Sequence, residues 1–121
     1  MSVRINAEEN HPGGIDPDEA ARIAAALERA GADAINVSCL SLGCLEPGSY
    51  EQGWKKNMAA AVKKAVSIPV ISVSNIKDPW VAEALLEEGV CDFAAVGRAL
   101  LADPDWPVKA FSGRENVIRR C

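Results

Sequence analysis

The chain has 121 residues, 49% hydrophobic and 25% charged, an ordinary globular composition that excludes a disordered, collagenous or disulfide-scaffold protein. Thirteen Lys and Arg against seventeen Asp and Glu give a net charge of −4, too acidic and too evenly spread for a nucleic-acid or anionic-membrane binder. Apolar runs such as Ile68 to Val73 fall far short of the roughly 20 residues of a membrane helix, and Met1-Ser2-Val3-Arg4 lacks the apolar core of a signal peptide. The expectation is one small soluble, cytoplasmic domain whose four cysteines (Cys39, Cys44, Cys91 and Cys121) are reduced.

Val3 to Asn6 opens the chain as a short strand. A helix follows, with Asp16 as cap, Pro17 at the first position and Glu19 completing a capping box. Ala20, Ile23, Ala24 and Leu27 form its apolar stripe, and Gly31 stops it. Ala34 to Ser38 is the second strand. After a long segment from Cys39 to Gln52, the spacing of Trp54, Met58, Val62 and Ala65 predicts a second helix that ends before Pro69. That segment exceeds a typical βα loop, as a substrate-facing lid does. Pro69 to Val73 is the third strand. The third helix has Asp78 as cap, Pro79 first, Val81, Ala84 and Leu85 facing inward, and Gly89 as its stop. Phe93 to Val96 is the fourth strand, followed by a helical tail from Arg98 to Phe111 that Asp103-Pro104 and Pro107 break.

Alternation of this kind implies parallel strands joined by right-handed crossovers. A weak repeat supports it: Leu27 to Ile35 resembles Leu86 to Phe93, each being a helix end, a glycine stop and a strand start, with an offset of one residue after the glycine. Two architectures remain open on these grounds. A small doubly wound sheet closes its own core, whereas a whole (β/α)₈ barrel needs about 250 residues.

In either architecture the strand carboxyl ends carry the site. Gly97-Arg98 leaves the fourth strand, where backbone N–H groups and a guanidinium can receive a phosphate; alternatively Gly97 merely turns the chain and Arg98 pairs with Asp103 or Asp105. Ser74 and Asn75 leave the neighbouring strand. They can donate to the same anion, or serve as turn residues that tolerate left-handed backbone. Alternation places Arg4 and Asn6 opposite Val3 and Ile5, either facing a polar ligand or on an exposed strand face. His11 is the only histidine, so histidine relays and His-pair metal sites are unsupported. Cys39 and Cys44 lack a second cysteine pair for zinc, and Cys91 reads as a small buried hydrophobe.

The residues together resemble the C-terminal half of the catalytic barrel in the Old Yellow Enzyme family of NADH:flavin oxidoreductases, in its 2,4-dienoyl-CoA reductase-like branch. Carrying the resemblance are the Val3-Arg4-Ile5 strand, Gly13-Gly14, Gly31-Ala32-Asp33, Ile35-Asn36-Val37-Ser38, the run Ile68 to Ile76, and above all Asp92 to Trp106. They span nearly the whole chain.

The resemblance implies an α/β fold, half of a (β/α)₈ TIM barrel made of four consecutive parallel βα units, with residues 1–121 as one truncated domain. It further implies an FMN-binding portion of an enzyme that passes hydride from NAD(P)H to an activated alkene, an unsaturated carbonyl or thioester. By position, Arg4 meets the N1/O2 edge of the flavin, and Ser74, Asn75, Gly97 and Arg98 hold its phosphate. The family usually has glycine where Ser74 stands, so a side chain there either crowds the phosphate or donates to it. Arg119-Arg120-Cys121 resembles the start of a [4Fe–4S] motif, but one cysteine cannot hold a cluster; the cluster belongs to a longer parent. The family's substrate-anchoring pair and proton-donating tyrosine belong to the first barrel half, and Tyr50 does not match. The isolated chain is therefore expected to be inactive, and to self-associate through its open strand edges. The alternative is a noncatalytic phosphate- or nucleotide-binding α/β module.

Overall fold

A computed structural model describes residues 1–9, 11–39 and 51–120. The expectations for Cys44, Tyr50, Cys121 and most of the long segment after Cys39 lie outside these residues.

Four strands, β1 (Ser2–Asn6), β2 (Ala34–Ser38), β3 (Val70–Ser72) and β4 (Phe93–Ala94), form one parallel sheet in the order β1-β2-β3-β4. Between them run α1 (Pro17–Arg29), α2 (Lys56–Ala65) and α3 (Pro79–Glu87), and after β4 come α4 (Arg98–Ala102), α5 (Trp106–Phe111) and a 3₁₀ turn at Glu115–Val117. The order follows the sequence without reversal, so there is no switch point and the doubly wound alternative is excluded. These are four consecutive βα units of a TIM barrel, half of the closed fold.

Register sorts the side chains. Val3, Ile35 and Val70 are paired across the sheet, as are Ile5, Val37 and Ser72, and these rows face the helices. Ile35, Val37 and Val70 are fully buried with Ala20 and Ala24 of α1, Ala59 and Val62 of α2, and Val81 and Leu85 of α3. The alternate row Arg4, Asn36, Ile71 and Phe93 lies on the other face, which in a closed barrel is the interior. Phe93 is 58% exposed there. β4 is short, and Ala95 extends its contact with β3 by donating to the Ser72 carbonyl at 2.8 Å.

The glycine stops are built alike. Gly31 (φ +99°) and Gly89 (φ +67°) adopt left-handed backbone that a side chain would strain. In each case the glycine N–H and the next one return to carbonyls of the last turn: Gly31 to Glu28 and Ala32 to Leu27, Gly89 to Leu86 and Val90 to Leu85. The one-residue offset is absorbed between the second glycine and β4.

Four local expectations are corrected. Asp16 caps α1 by accepting from the Glu19 N–H at 2.8 Å, but Asp78 does not cap α3. Its carboxylate receives Gln52 Nε2 and the Arg120 guanidinium, while Gln52 Oε1 accepts from the backbone N–H groups of Lys77 and Asp78 at 2.7 and 2.8 Å. Ala65 is exposed, and Val66, just past the end of α2, is buried. Pro107 does not break the tail; it sits in the first turn of α5, where a missing N–H costs nothing. Cys39 is disulfide-bonded, against the expectation of reduced thiols. Cys91 is a free, buried thiol whose pKa is pushed up by burial.

Candidate anion-binding cleft at the strand carboxyl ends

β3 and β4 both end at one cleft of about 290 Å³. Arg4, Asn75, Gly97 and Arg98 line it together with Val73, Ile76, Lys77 and Ala95. Four of the five residues singled out from the sequence thus converge. Ser74 does not line it: the side chain is fully buried, its hydroxyl accepts from the Lys55 N–H at 2.9 Å, and its carbonyl accepts from the Gly53 N–H at 2.8 Å.

Asn75 is the only described non-glycine residue with positive φ, at 54°, a conformation that asparagine tolerates better than most side chains. That turn brings its Oδ1 to the Arg98 guanidinium, which donates to it at 2.9 Å. Arg98 therefore does not pair with Asp103 or Asp105. Asp103 is buried and receives Lys109 Nζ at 2.6 Å and the Arg119 N–H at 2.8 Å. The Lys109 ammonium first, then the Arg119 amide, holds the Asp103 carboxyl below the ordinary carboxylate range, against the opposing effect of burial.

A Cβ added to Gly97 would meet nothing within 4 Å, so the glycine borders open space. Its φ of −108° lies outside the left-handed region. Packing does not require glycine here, and its absent side chain widens the cleft. Arg4 stands on the inner face of β1 and donates to Ser38 Oγ at 2.8 Å.

Lys55 was not singled out by the sequence. It precedes α2, its Nζ donates to the Cys39 carbonyl at 3.0 Å, and it lies 4.9 Å from the ring centre of Trp54. Burial, followed by the charges of Arg4 and Arg98, holds its ammonium below the usual lysine value. Among the described residues, no carboxylate pairs with Arg4, Lys55 or Arg98. No cluster of three or more metal-ligating side chains occurs among those residues. No helix among them is long and apolar enough to cross a membrane.

A sequential half-barrel whose last two strands end at a cationic cleft has the architecture of TIM-barrel proteins, with its candidate site at the strand carboxyl ends. Comparison with known proteins narrows the class. Residues 1–116 match the model of the NADH:flavin oxidoreductase / NADH oxidase family, and the chain belongs to that family. It is 46% identical to an NADH oxidase of Thermoanaerobacter brockii, covering 100% of this chain and 19% of the relative. It is 41% identical to a bilirubin reductase of Mediterraneibacter gnavus, covering 90% of this chain and 18% of that protein. Among solved structures, a 2-naphthoyl-CoA reductase superposes with a TM-score of 0.84 at 28% identity, over 98% of this chain and 19% of the other. The chain therefore spans about a fifth of the length of these relatives.

Proposed function

We propose that the cleft is the phosphate end of an FMN site, and that residues 1–121 form the C-terminal half, strands five to eight, of a flavin-dependent reductase barrel. The observation that carries this reading is the opening beside Gly97, faced by two arginines that have no carboxylate partner among the described residues. Such a pocket fits a phosphomonoester: Arg98 can grip two oxygens at once, Asn75 orients the guanidinium, and a Cβ at position 97 would occupy the space. Ser74 acts from behind, fixing the Lys55 backbone and thereby the turn that presents Asn75.

Arg4 contributes at the ring end. A guanidinium beside the N1/O2 edge favours the anionic reduced form of the flavin, and its bond to Ser38 keeps it at the mouth of the sheet. FMN, when bound, supplies hydride transfer from NAD(P)H to an electron-poor alkene such as an unsaturated carbonyl or thioester. The cleft residues of this chain bind and orient, and the family's proton-donating tyrosine is expected in the first barrel half, so the expected outcome for the 121-residue chain alone is negligible turnover in an NAD(P)H:enoate reductase assay. Its unpaired β1 and β4 edges favour self-association, which light scattering reads as a dimer or larger species and a compact monomer refutes.

The test compares FMN with riboflavin, which lacks the phosphate, by flavin fluorescence. FMN should bind the chain more tightly, and Arg98→Ala should weaken FMN by about tenfold or more while leaving riboflavin unchanged. Equal binding of the two flavins, insensitive to Arg98, overturns the reading.

A further inference from the structure

Among the described residues that line the cleft, Arg4, Lys77 and Arg98 are cationic and none is acidic. A phosphomonoester carries close to two negative charges at neutral pH, its second pKa being about 6, so one guanidinium neutralises only half of it. The flavin reading above gives Arg98 to the phosphate and Arg4 to the ring end. Lys77 has no role there.

The backbone of Lys77 is clamped from two sides. Its N–H donates to Gln52 Oε1 at 2.7 Å, and its carbonyl accepts from the Trp106 indole N–H at 2.7 Å. Gln52 comes from ahead of α2 and Trp106 from α5, and Gln52 is itself fixed by the N–H and the carboxylate of Asp78, at 2.8 and 2.7 Å. With both backbone polar groups engaged, what Lys77 offers to a ligand in the cleft is its ammonium. Among the described residues that ammonium has no carboxylate partner. Two residues earlier on the same turn, Asn75 receives the Arg98 guanidinium at 2.9 Å, so both cations belong to the wall that Asn75, Ile76 and Lys77 form. A sphere of 290 Å³ is about 8 Å across, which leaves a bound phosphate within reach of an extended lysine side chain on that wall.

We propose that Lys77 is the second phosphate cation of this cleft, its ammonium completing with Arg98 the neutralisation of the dianion, and that Gln52 and Trp106 are positioning residues that hold its backbone. This assignment rests on the flavin reading and deepens it, because it matches the site to a doubly charged terminal phosphate. The two cations divide the work by shape. A terminal phosphate has three free oxygens; the planar guanidinium grips two of them, and a compact ammonium with three donors suits the third.

The experiment uses the 121-residue chain with FMN and riboflavin as probes, titrated by flavin fluorescence at low and high salt for the parent, Lys77→Gln, Lys77→Arg and Arg98→Ala. Neither Lys77 substitution removes the N–H and carbonyl that Gln52 and Trp106 engage, so the turn is retained. Lys77→Gln should weaken FMN about five- to tenfold at low salt and spare riboflavin, with the deficit shrinking at high salt as ions screen the ammonium. Lys77→Arg should keep most of the parent's affinity, because it keeps the charge. If Arg98→Ala weakens FMN alone while Lys77→Gln matches the parent or weakens both flavins alike, the Lys77 assignment is overturned and the flavin reading stands. A Lys77→Arg variant as weak as Lys77→Gln overturns the assignment as well. If FMN and riboflavin bind alike in every protein, the flavin reading falls and the assignment falls with it.

Discussion

The helix-facing and inner rows of this sheet come from alternate residues of the same strands, yet they differ in kind. Val3, Ile5, Ile35, Val37 and Val70 pack beneath α1, α2 and α3 in a continuous apolar layer. Across the sheet stand Arg4, Asn36, Ile71 and Phe93, polar toward β1 and apolar toward β4. The Asn36 Oδ1 is buried there without a hydrogen-bond partner. One row holds the chain folded; the other, with the strand ends above it, is arranged for contacts that this chain does not supply to itself. Stability and binding are therefore separable by substitution.

The strongest challenge to that separation is Ile35→Ala, which removes a fully buried side chain from the middle of the helix-facing row. It should cost about 2–5 kcal/mol in denaturant unfolding and leave FMN affinity of the folded fraction unchanged. A loss of affinity without a loss of stability would break the comparison. Next comes Asp103, whose carboxyl titrates below its ordinary range in the folded state. The folded protein then binds fewer protons than the unfolded chain, so this contribution is complete above the ordinary carboxylate range and is lost as pH falls through the depressed value. Acid unfolding of Asp103→Asn should show a shallower pH dependence than the parent, with the variant less stable near neutrality.

Gly97→Ala probes the opposite side. It should weaken FMN several-fold by filling the cleft, with stability within about 0.5 kcal/mol of the parent. The smallest effect is expected at Ser72, whose hydroxyl lies buried on the helix-facing side with no partner. Ser72→Ala should raise stability by about 1 kcal/mol, because it deletes an unsatisfied polar group rather than a contact. A loss there would mean that the hydroxyl is bonded in solution.

Much of the fold was legible because it depends on local grammar. Proline starts, glycine stops and short β-branched runs placed α1, α3 and all four strands, and the rule that parallel strands carry function at their carboxyl ends brought Arg4, Asn75, Gly97 and Arg98 to attention before their convergence was visible. Contacts made across long sequence separations were harder to foresee. Asp78 looks like a cap, but Gln52 comes back from before α2 and takes the N–H groups instead. Lys55 looks like one more charge on an amphipathic helix, and only the return of that backbone onto Ser74 sets it over the strand ends. Ser74 itself shows the limit of reading by position. Its neighbours in sequence face the cleft, while its own side chain turns into the protein.

The strictly sequential strand order has a consequence for how the molecule is made. Each strand pairs with the one synthesised just before it, so no segment has to wait for a distant partner to emerge from the ribosome. Closure of α1 and α3 by their own glycine turns lets those units present a finished edge to the next. Assembly can proceed in the direction of translation, one βα unit at a time, and the cleft forms last, when the turn after β4 brings Arg98 against Asn75.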